Sequence, residues 1–335
     1  MVTKQNFKII GTGSYLPERK LTAKEMDGRL GMPIGWTEQN IGVLERYECV
    51  DPETLISMAY NAVVSALNEA QISWDQIDYL FDCSTSKMRP IPNNACHIQH
   101  AFGPEASPVP CLDIQSTCLG SITAINLANS LLNDEAYRNV VIVASERAVA
   151  GVNLNQPASA GLVGDGAAAI VLRRQESQRC ISFCHQTFAQ HLELCRVDGG
   201  GHLLPFFEYN EGRDEEFRFT MDGPAVYRVA RKKLPPMVRH VLESYQQNNH
   251  GFDSSKIQVV PHQASPHAVE AIRRVLGFSA ENYHVGIQGL GNLASASIPV
   301  MLDRLRKSDR LNPGQDILLL GTSAGYSQAA LCFQL

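Results

Sequence analysis

Between Asp113 and Asp134 the chain carries no charged residue, and this stretch constrains the fold more than any other. It runs Leu112-Asp113-Ile114-Gln115-Ser116-Thr117-Cys118-Leu119-Gly120-Ser121-Ile122-Thr123-Ala124 and continues through Ile125, Leu127, Ala128 and Leu131-Leu132. A strand-like approach gives way to small residues, a cysteine, a glycine and a helical run. A helix without charge over that length must be covered on nearly every side. Cys118 would stand at its N-terminus, where unpaired N–H groups and the helix dipole favour a thiolate. One stretch therefore predicts a buried central helix and a candidate nucleophile.

The elements around it alternate. Residues 7–13 read as a strand ending in a glycine turn that Pro17 closes, and Thr22-Ala23-Lys24-Glu25 as a capping box opening a short helix. Residues 35–42, with Trp36, read as a loop. Residues 54–70 have helical periodicity, 77–83 read as a strand, and 93–102 as a helix entered from the loop 87–92. A fully apolar strand follows at 140–144, then a tight turn at Gly164-Asp165-Gly166 into a strand at 167–172. The charged segment 173–179 is the best boundary, dividing the chain into halves at 1–175 and 176–335.

The second half opens with a strand at 180–188 and an irregular excursion at 196–217, a candidate cover for a cleft. A long helix at 223–246 contains Pro235-Pro236, which should kink or break it. A short buried strand, 257–260, ends in Pro261-His262-Gln263-Ala264, and Ser265-Pro266 starts a helix. Residues 286–291 are glycine-rich and lead through Asn292 into a small-residue helix at 294–306. The chain closes with a strand, a turn at 321–325 and a last strand at 329–333. Such alternation is the signature of an α/β protein. A duplication is hinted at by Asp113-Ile114-Gln115 and Gly286-Ile287-Gln288, each preceding a small-residue helix at a similar offset.

Composition excludes several functions. A net charge of −5 without a basic footprint argues against a nucleic-acid partner. Nine cysteines without a CxxC pair read as reduced thiols in a cytoplasmic protein. Cys180 and Cys184 beside His185 and His191 make a poor zinc site, so no metal is expected. Gly11 and Gly13 supply only two of the three glycines of a dinucleotide loop. The N-terminus has no apolar signal-peptide core, and no stretch is apolar enough to span a membrane.

Cys118, His262 and Asn292 each sit where a buried strand or loop becomes a helix, the places where α/β folds gather reactive groups. A thiolate is a nucleophile for acyl transfer, and a neighbouring imidazole can move its proton. An asparagine stabilises a carbonyl oxygen or enolate without adding charge. Each residue alone also has an ordinary structural explanation. In context they resemble one family. Asp113-x4-Cys118-x-Gly120, Val260-Pro261-His262-Gln263-Ala264 and Gly291-Asn292-x-Ala294-Ser295-x2-Ile298-Pro299 are similar to the active-site blocks of beta-ketoacyl-acyl-carrier-protein synthase III. Gly164-Asp165-Gly166-Ala167, Phe219-Thr220-Met221-x-Gly223 and the segment 311–325 resemble the same family, in order along the chain.

The resemblance implies a thiolase-type five-layer αβαβα fold of two similar halves, in a homodimer. It implies that Cys118 takes an acyl group from an acyl-CoA or acyl carrier protein thioester. His262 and Asn292 would bind a malonyl-type extender as it loses CO2, and the enolate would attack the acyl-cysteine in a Claisen condensation. The N–H groups of Cys118 and Ala324 would form the oxyanion hole, and no cofactor beyond the thioester substrates is required. Trp36 falls where the family stacks a tryptophan on the CoA adenine, and Ile91, Gly223 and Ser265 fall at the substrate channel. Arg228, Arg273 and Arg274 are candidates for docking an acidic carrier protein. Several positions depart from the family. Asn40 and Pro157 stand where arginines usually ring the CoA mouth, Ser265 and His267 replace an asparagine and an arginine, and Ile91 replaces a common aromatic. These departures point to a specialised synthase of fatty-acid or polyketide-like metabolism. The alternatives are an acyltransferase acting on an alcohol or amine, and a non-catalytic partner subunit.

Overall fold

The computed structural model describes residues 1–106 and 108–335. Two five-stranded sheets organise it. Across the first, the order is Phe7–Tyr15, Gly166–Arg174, Asn139–Glu146, Tyr79–Asp82 and Cys111–Asp113. Across the second it is Val2–Lys4, Cys180–Thr187, Ser327–Gln334, Asp316–Ser323 and Gln258–Pro261. In both sheets the inner strands mix antiparallel and parallel pairing in the same sequence. Val2–Lys4 crosses over to pair with Cys180–Thr187, so the first residues of the chain add an edge strand to the second sheet.

Five layers result. The helix Leu55–Ala70 covers the outer face of the first sheet with Met58, Ala62, Val63 and Ala66. The helices Gly223–Asn248 and Pro266–Leu276 cover the outer face of the second. Between the sheets lie Gly120–Leu131 and Ser297–Lys307, whose Ile122, Ile125, Val300 and Leu302 belong to one continuous core with strand residues of both sheets. The uncharged helix is thus central. Its burial is not complete, because Leu127 is 43% exposed.

The duplication is real but out of register with the sequence hint. The turn Thr117–Leu119 corresponds to Ala294–Ala296, and the strand Asn139–Glu146 to Asp316–Ser323, by one step (294 − 117 = 316 − 139 = 177). Ile114 therefore corresponds to Gly291, not to Ile287. The two turns share a further feature: Thr117 (φ 43°) and Ala294 (φ 41°) both adopt the left-handed conformation without being glycine. Such backbone costs about 1–3 kcal/mol and persists only where the surroundings enforce it, commonly at functional sites.

Three local expectations change. The first strand does not turn at its glycines; it runs on to Tyr15, because Gly11 and Gly13 let the backbone of the helix Leu55–Ala70 come directly against it. Pro235 and Pro236 do not break the helix Gly223–Asn248. The carbonyls they deprive, at Arg231 and Lys232, belong to exposed residues where water can replace the missing donors. Residues 36–40 form a short helix, its start held by the buried Asp27 carboxylate, which accepts from the Gly35 and Thr37 N–H groups at 2.6 and 2.7 Å.

Candidate active site

The Cys118 turn is fixed from both ends. Upstream, the Asp113 carboxylate accepts from the N–H groups of Asn94 (3.0 Å) and Ala95 (2.9 Å) and from Lys87 Nζ (2.8 Å). Downstream, Leu119 is fully buried and the helix begins at Gly120. Cys118 itself keeps some exposed surface, but its thiol lies deep among protein atoms. Burial, the Glu146 carboxylate and Cys195 push it up to about 12, while a backbone hydrogen bond pulls the other way. The sequence reading of a resting thiolate is therefore overturned. A helix terminus contributes about 0.3–2 kcal/mol, whereas a rise from 9.0 to about 12 corresponds to roughly 4 kcal/mol. Desolvation wins, so the group at rest is a thiol, which would need a proton acceptor to act as a nucleophile.

His262 follows the strand Gln258–Pro261, and its N–H donates to the Leu320 carbonyl at 2.8 Å. The bend after it is held by buried Gln263, whose Nε2 donates to Pro261 O at 2.7 Å and whose Oε1 accepts from the Gly286 N–H at 2.9 Å. The imidazole is buried and Nδ1 has no hydrogen-bond partner among the described residues. Burial pushes its pKa down to about 4, so the ring is neutral at physiological pH.

This shift has a sign that can be tested. Between about 6.5 and about 4 the unfolded chain protonates this histidine and the folded chain does not, so its contribution to stability falls as pH is lowered through that window. His262→Gln removes the effect. Relative to pH 7.5, the variant is expected to lose about 2–3 kcal/mol less than the wild type by pH 4.5, as read by urea unfolding.

Asn292 is presented on a seam between the halves. Its N–H donates to Leu162 O at 2.8 Å, and its carbonyl accepts from the Gly164 N–H at 3.0 Å. A methyl group on Gly164 would collide with the Leu290 carbonyl. The Gly164-Asp165-Gly166 segment is therefore a grip on Asn292 as well as a turn. Asp165 anchors it, accepting from the N–H groups of Cys49 (2.9 Å) and Val149 (2.8 Å), and burial pushes this carboxyl up to about 7. Gly164→Ala is expected to lower stability by about 1–3 kcal/mol, as read by thermal unfolding.

The three elements meet around Gly321. A Cβ there would come within 2.7 Å of His262 Cβ and 3.2 Å of Leu119 Cδ2, so only a glycine lets this strand pass between His262 and the Cys118 turn. Asn292 closes the group from the third side. Its Nδ2 donates to Ala264 O at 3.2 Å, its Oδ1 accepts from the Ala294 N–H at 2.9 Å, and the turn Ala294–Ala296 packs against Thr117–Leu119. A thiol, a neutral imidazole and a carboxamide are thus carried on three elements that pack together. That set can form an acyl-thioester and stabilise negative charge on a second carbonyl oxygen.

The other candidates are more dispersed. Ala324 lies in the turn linking Asp316–Ser323 to Ser327–Gln334, beyond the strand that touches the Cys118 turn. Trp36 is partly buried at the start of its helix, packed between two apolar clusters. Ser265 caps the helix Pro266–Leu276 by accepting from the Ala268 N–H at 3.2 Å, and Gly223 opens the long helix behind its cap, Asp222. An open pocket of about 600 Å³ runs past these elements, lined by Gly42, Tyr227, Arg231, His267, Glu270 and Arg274. Arg228 is exposed nearby, and Arg274 is 73% exposed although it bonds Glu270. Arg273 is committed locally: it pairs with Glu270 at 2.8 Å and donates to the Phe278 carbonyl, tying down its own helix end. Ile91 is 85% exposed, on the loop leading into the helix Asn94–Ala101.

Cys180 and Cys184 lie on one strand, about 13 Å apart by its rise, too far to share a metal. Among the described residues no group of three or more histidine, cysteine or carboxylate side chains could hold a metal ion. Two contributors escape the sequence reading: Arg231 in the pocket, and Glu146, a buried carboxylate at the end of an otherwise apolar strand. A charge directly after such a strand is the signal that could have found it.

Comparison with known proteins follows the same outline. Residues 112–188 match the family 3-oxoacyl-[acyl-carrier-protein (ACP)] synthase III, and residues 248–335 match its C-terminal counterpart. A beta-ketoacyl-[acyl-carrier-protein] synthase III of Salmonella arizonae is 30% identical over 321 residues, 96% of each chain. Among solved structures, the 3-oxoacyl-[acyl-carrier-protein] synthase III of Aquifex aeolicus superposes with a TM-score of 0.86 at 27% identity, over 98% of this chain and 100% of that one. The priming beta-ketosynthase of the R1128 polyketide biosynthetic pathway gives 0.87 at 26%, over 99% and 97%.

Proposed function

The chain belongs to the beta-ketoacyl-[acyl-carrier-protein] synthase III family, and on that premise we propose that Cys118, His262 and Asn292 carry out a decarboxylative Claisen condensation of two thioesters. The Cys118 thiol gives its proton to neutral His262 and attacks an acyl thioester, expelling CoA or carrier-protein thiol and leaving an acyl-cysteine. The backbone N–H groups of Cys118 and Ala324 hold the oxyanion. A malonyl-type thioester then binds with its carbonyl oxygen toward His262 and Asn292. Loss of CO2 leaves the electron pair as an enolate, which these two donors stabilise. The enolate carbon attacks the acyl-cysteine carbonyl, the C–S bond breaks, and Cys118 leaves as a thiolate that recovers a proton.

The packing of His262 and the Cys118 turn on Gly321, with the Asn292 amide bonded to Ala264 O just beyond His262, carries the reading. An enolate needs hydrogen-bond donors aimed at its oxygen, and neutral His262 together with the Asn292 amide can supply them. The pocket beside Ser265 and His267, with Arg231 and Arg274 at its wall, suits the phosphates of CoA or of a carrier protein's phosphopantetheine. Trp36, Gly223 and Ser265 flank the approach. We assign residues 1–175 and 176–335 as the two halves that contribute, respectively, the nucleophile and the decarboxylation pair.

The open sheet edge at Cys111–Asp113, with Leu112 46% exposed and Ile91 exposed on the loop before Asn94, supports a homodimer across this face. Nine free thiols suit a reducing cytoplasm. Product analysis by mass spectrometry, with an acyl-CoA panel and malonyl-CoA or malonyl carrier protein, tests the reaction class. A β-ketoacyl thioester is expected; an ester or amide of an added alcohol or amine would replace this reading with simple acyl transfer.

A further inference from the structure

Glu146 has one of the densest sets of hydrogen bonds around a single side chain in the molecule, and the reaction scheme above gives it no role. It ends the strand Asn139–Glu146 and is 1% exposed. One carboxylate oxygen accepts from the Thr85 N–H (2.7 Å), the Ser295 N–H (3.3 Å) and the Ser295 hydroxyl. The other accepts from the Ser86 N–H (2.9 Å) and hydroxyl (2.8 Å). No arginine or lysine pairs with it among the described residues. A carboxylate is not needed to plug a core, and burying one is costly unless it is fully bonded. Here the bonds come from two different directions.

One direction is the segment after the strand Tyr79–Asp82, at Thr85 and Ser86. The other is the turn that follows Asn292. Ala294 in that turn is left-handed, at φ 41°, and its N–H is bonded to the Asn292 side chain. Ser295, the next residue, is what Glu146 grips. Strain at a non-glycine residue needs an external hold, and Glu146 supplies it. The equivalent position at the end of the second sheet's strand is Ser323, so the carboxylate is not a requirement of the fold itself.

We propose that Glu146 is a positioning residue for the condensation half of the reaction: its buried carboxylate clamps Ser295 and thereby fixes the direction of the Asn292 amide. The inference rests on the decarboxylating role given to Asn292. It separates the two half-reactions: acylation of Cys118 does not use that amide, and losing the carboxylate's charge eases rather than hinders deprotonation of the thiol it raises. Glu146→Gln keeps the shape but offers one acceptor oxygen in place of two, leaving at least one backbone N–H facing an amide NH2. A displacement of an active-site donor by about an ångström costs on the order of 100-fold in rate.

The test measures both half-reactions in the intact enzyme: single-turnover acylation of Cys118 by acyl-CoA, and CO2 release from malonyl-CoA. Glu146→Gln is expected to lower kcat for CO2 release about 100-fold, with KM for malonyl-CoA changed less than about threefold and acylation slowed no more than about threefold. Ser295→Ala, which keeps the backbone donor, is expected to give the same split at about 10-fold, and it preserves the test should Glu146→Gln fail to fold. Equal losses in both half-reactions, or no loss in either, would overturn the clamp. Absence of CO2 release by the wild type would instead overturn the condensing function, and the clamp with it.

Discussion

Cys118→Ala is expected to abolish the acyl-enzyme and to lower condensation by at least about 10⁴-fold, the scale on which loss of a covalent nucleophile is felt. The reason lies in what surrounds the position. Cys118 is carried by the turn that packs against both the tight strand at Gly321 and the turn after Asn292. Cys195 is close enough to raise the Cys118 pKa, but it lies on the strand Cys195–Arg196 of the excursion, paired with Thr220–Met221. Burial pushes its own thiol up to about 11, so it offers no ready substitute. Intact-protein mass after exposure to acyl-CoA reads the result directly. The wild type gains one acyl group and Cys118→Ala gains none, whereas an adduct of the same mass on the variant would move the nucleophile elsewhere.

The second large effect separates Asn292 from His262. Asn292→Ala removes one of two donors to the enolate and should lower condensation by about 10²–10³-fold, the usual cost of a lost oxyanion donor. Acylation of Cys118 should change by no more than a few fold, since the amide takes no part in it. His262→Ala should lower both steps, because a thiol raised to about 12 has lost its proton acceptor as well. The acylation loss is expected at about 10²-fold, in the range of general-base contributions. Rapid-quench acylation and CO2 release measured side by side check the pattern. Equal effects of both variants on acylation would contradict the division of roles.

Much of this site was legible before any coordinates. The uncharged run after Asp113 points to a central helix, since no charge on it marks a solvent-facing side, and it places Cys118 at the start. The glycine before Asn292 and the proline before His262 mark the turns that present those side chains. What the chain order could not convey are effects that depend on distant neighbours. The protonation of Cys118 follows from burial and from Glu146, a strand away, and local helix reasoning gives the opposite sign. Gly11 and Gly13 resemble a turn in sequence; only the helix lying on them explains why they stay in the strand. Arg273 and Arg274 look alike in sequence, and the Phe278 carbonyl ties down the first of them alone.

The account turns on one order of events: acyl group onto Cys118, CO2 off the extender, then a new carbon–carbon bond. A single-turnover experiment with acyl-loaded enzyme and [3-¹³C]malonyl-CoA follows all of it. The account predicts that the Cys118 adduct disappears in step with release of ¹³CO2 and with a β-ketoacyl thioester containing both acyl groups. An adduct that persists while ¹³CO2 is released, or that is discharged without it, would contradict the condensation.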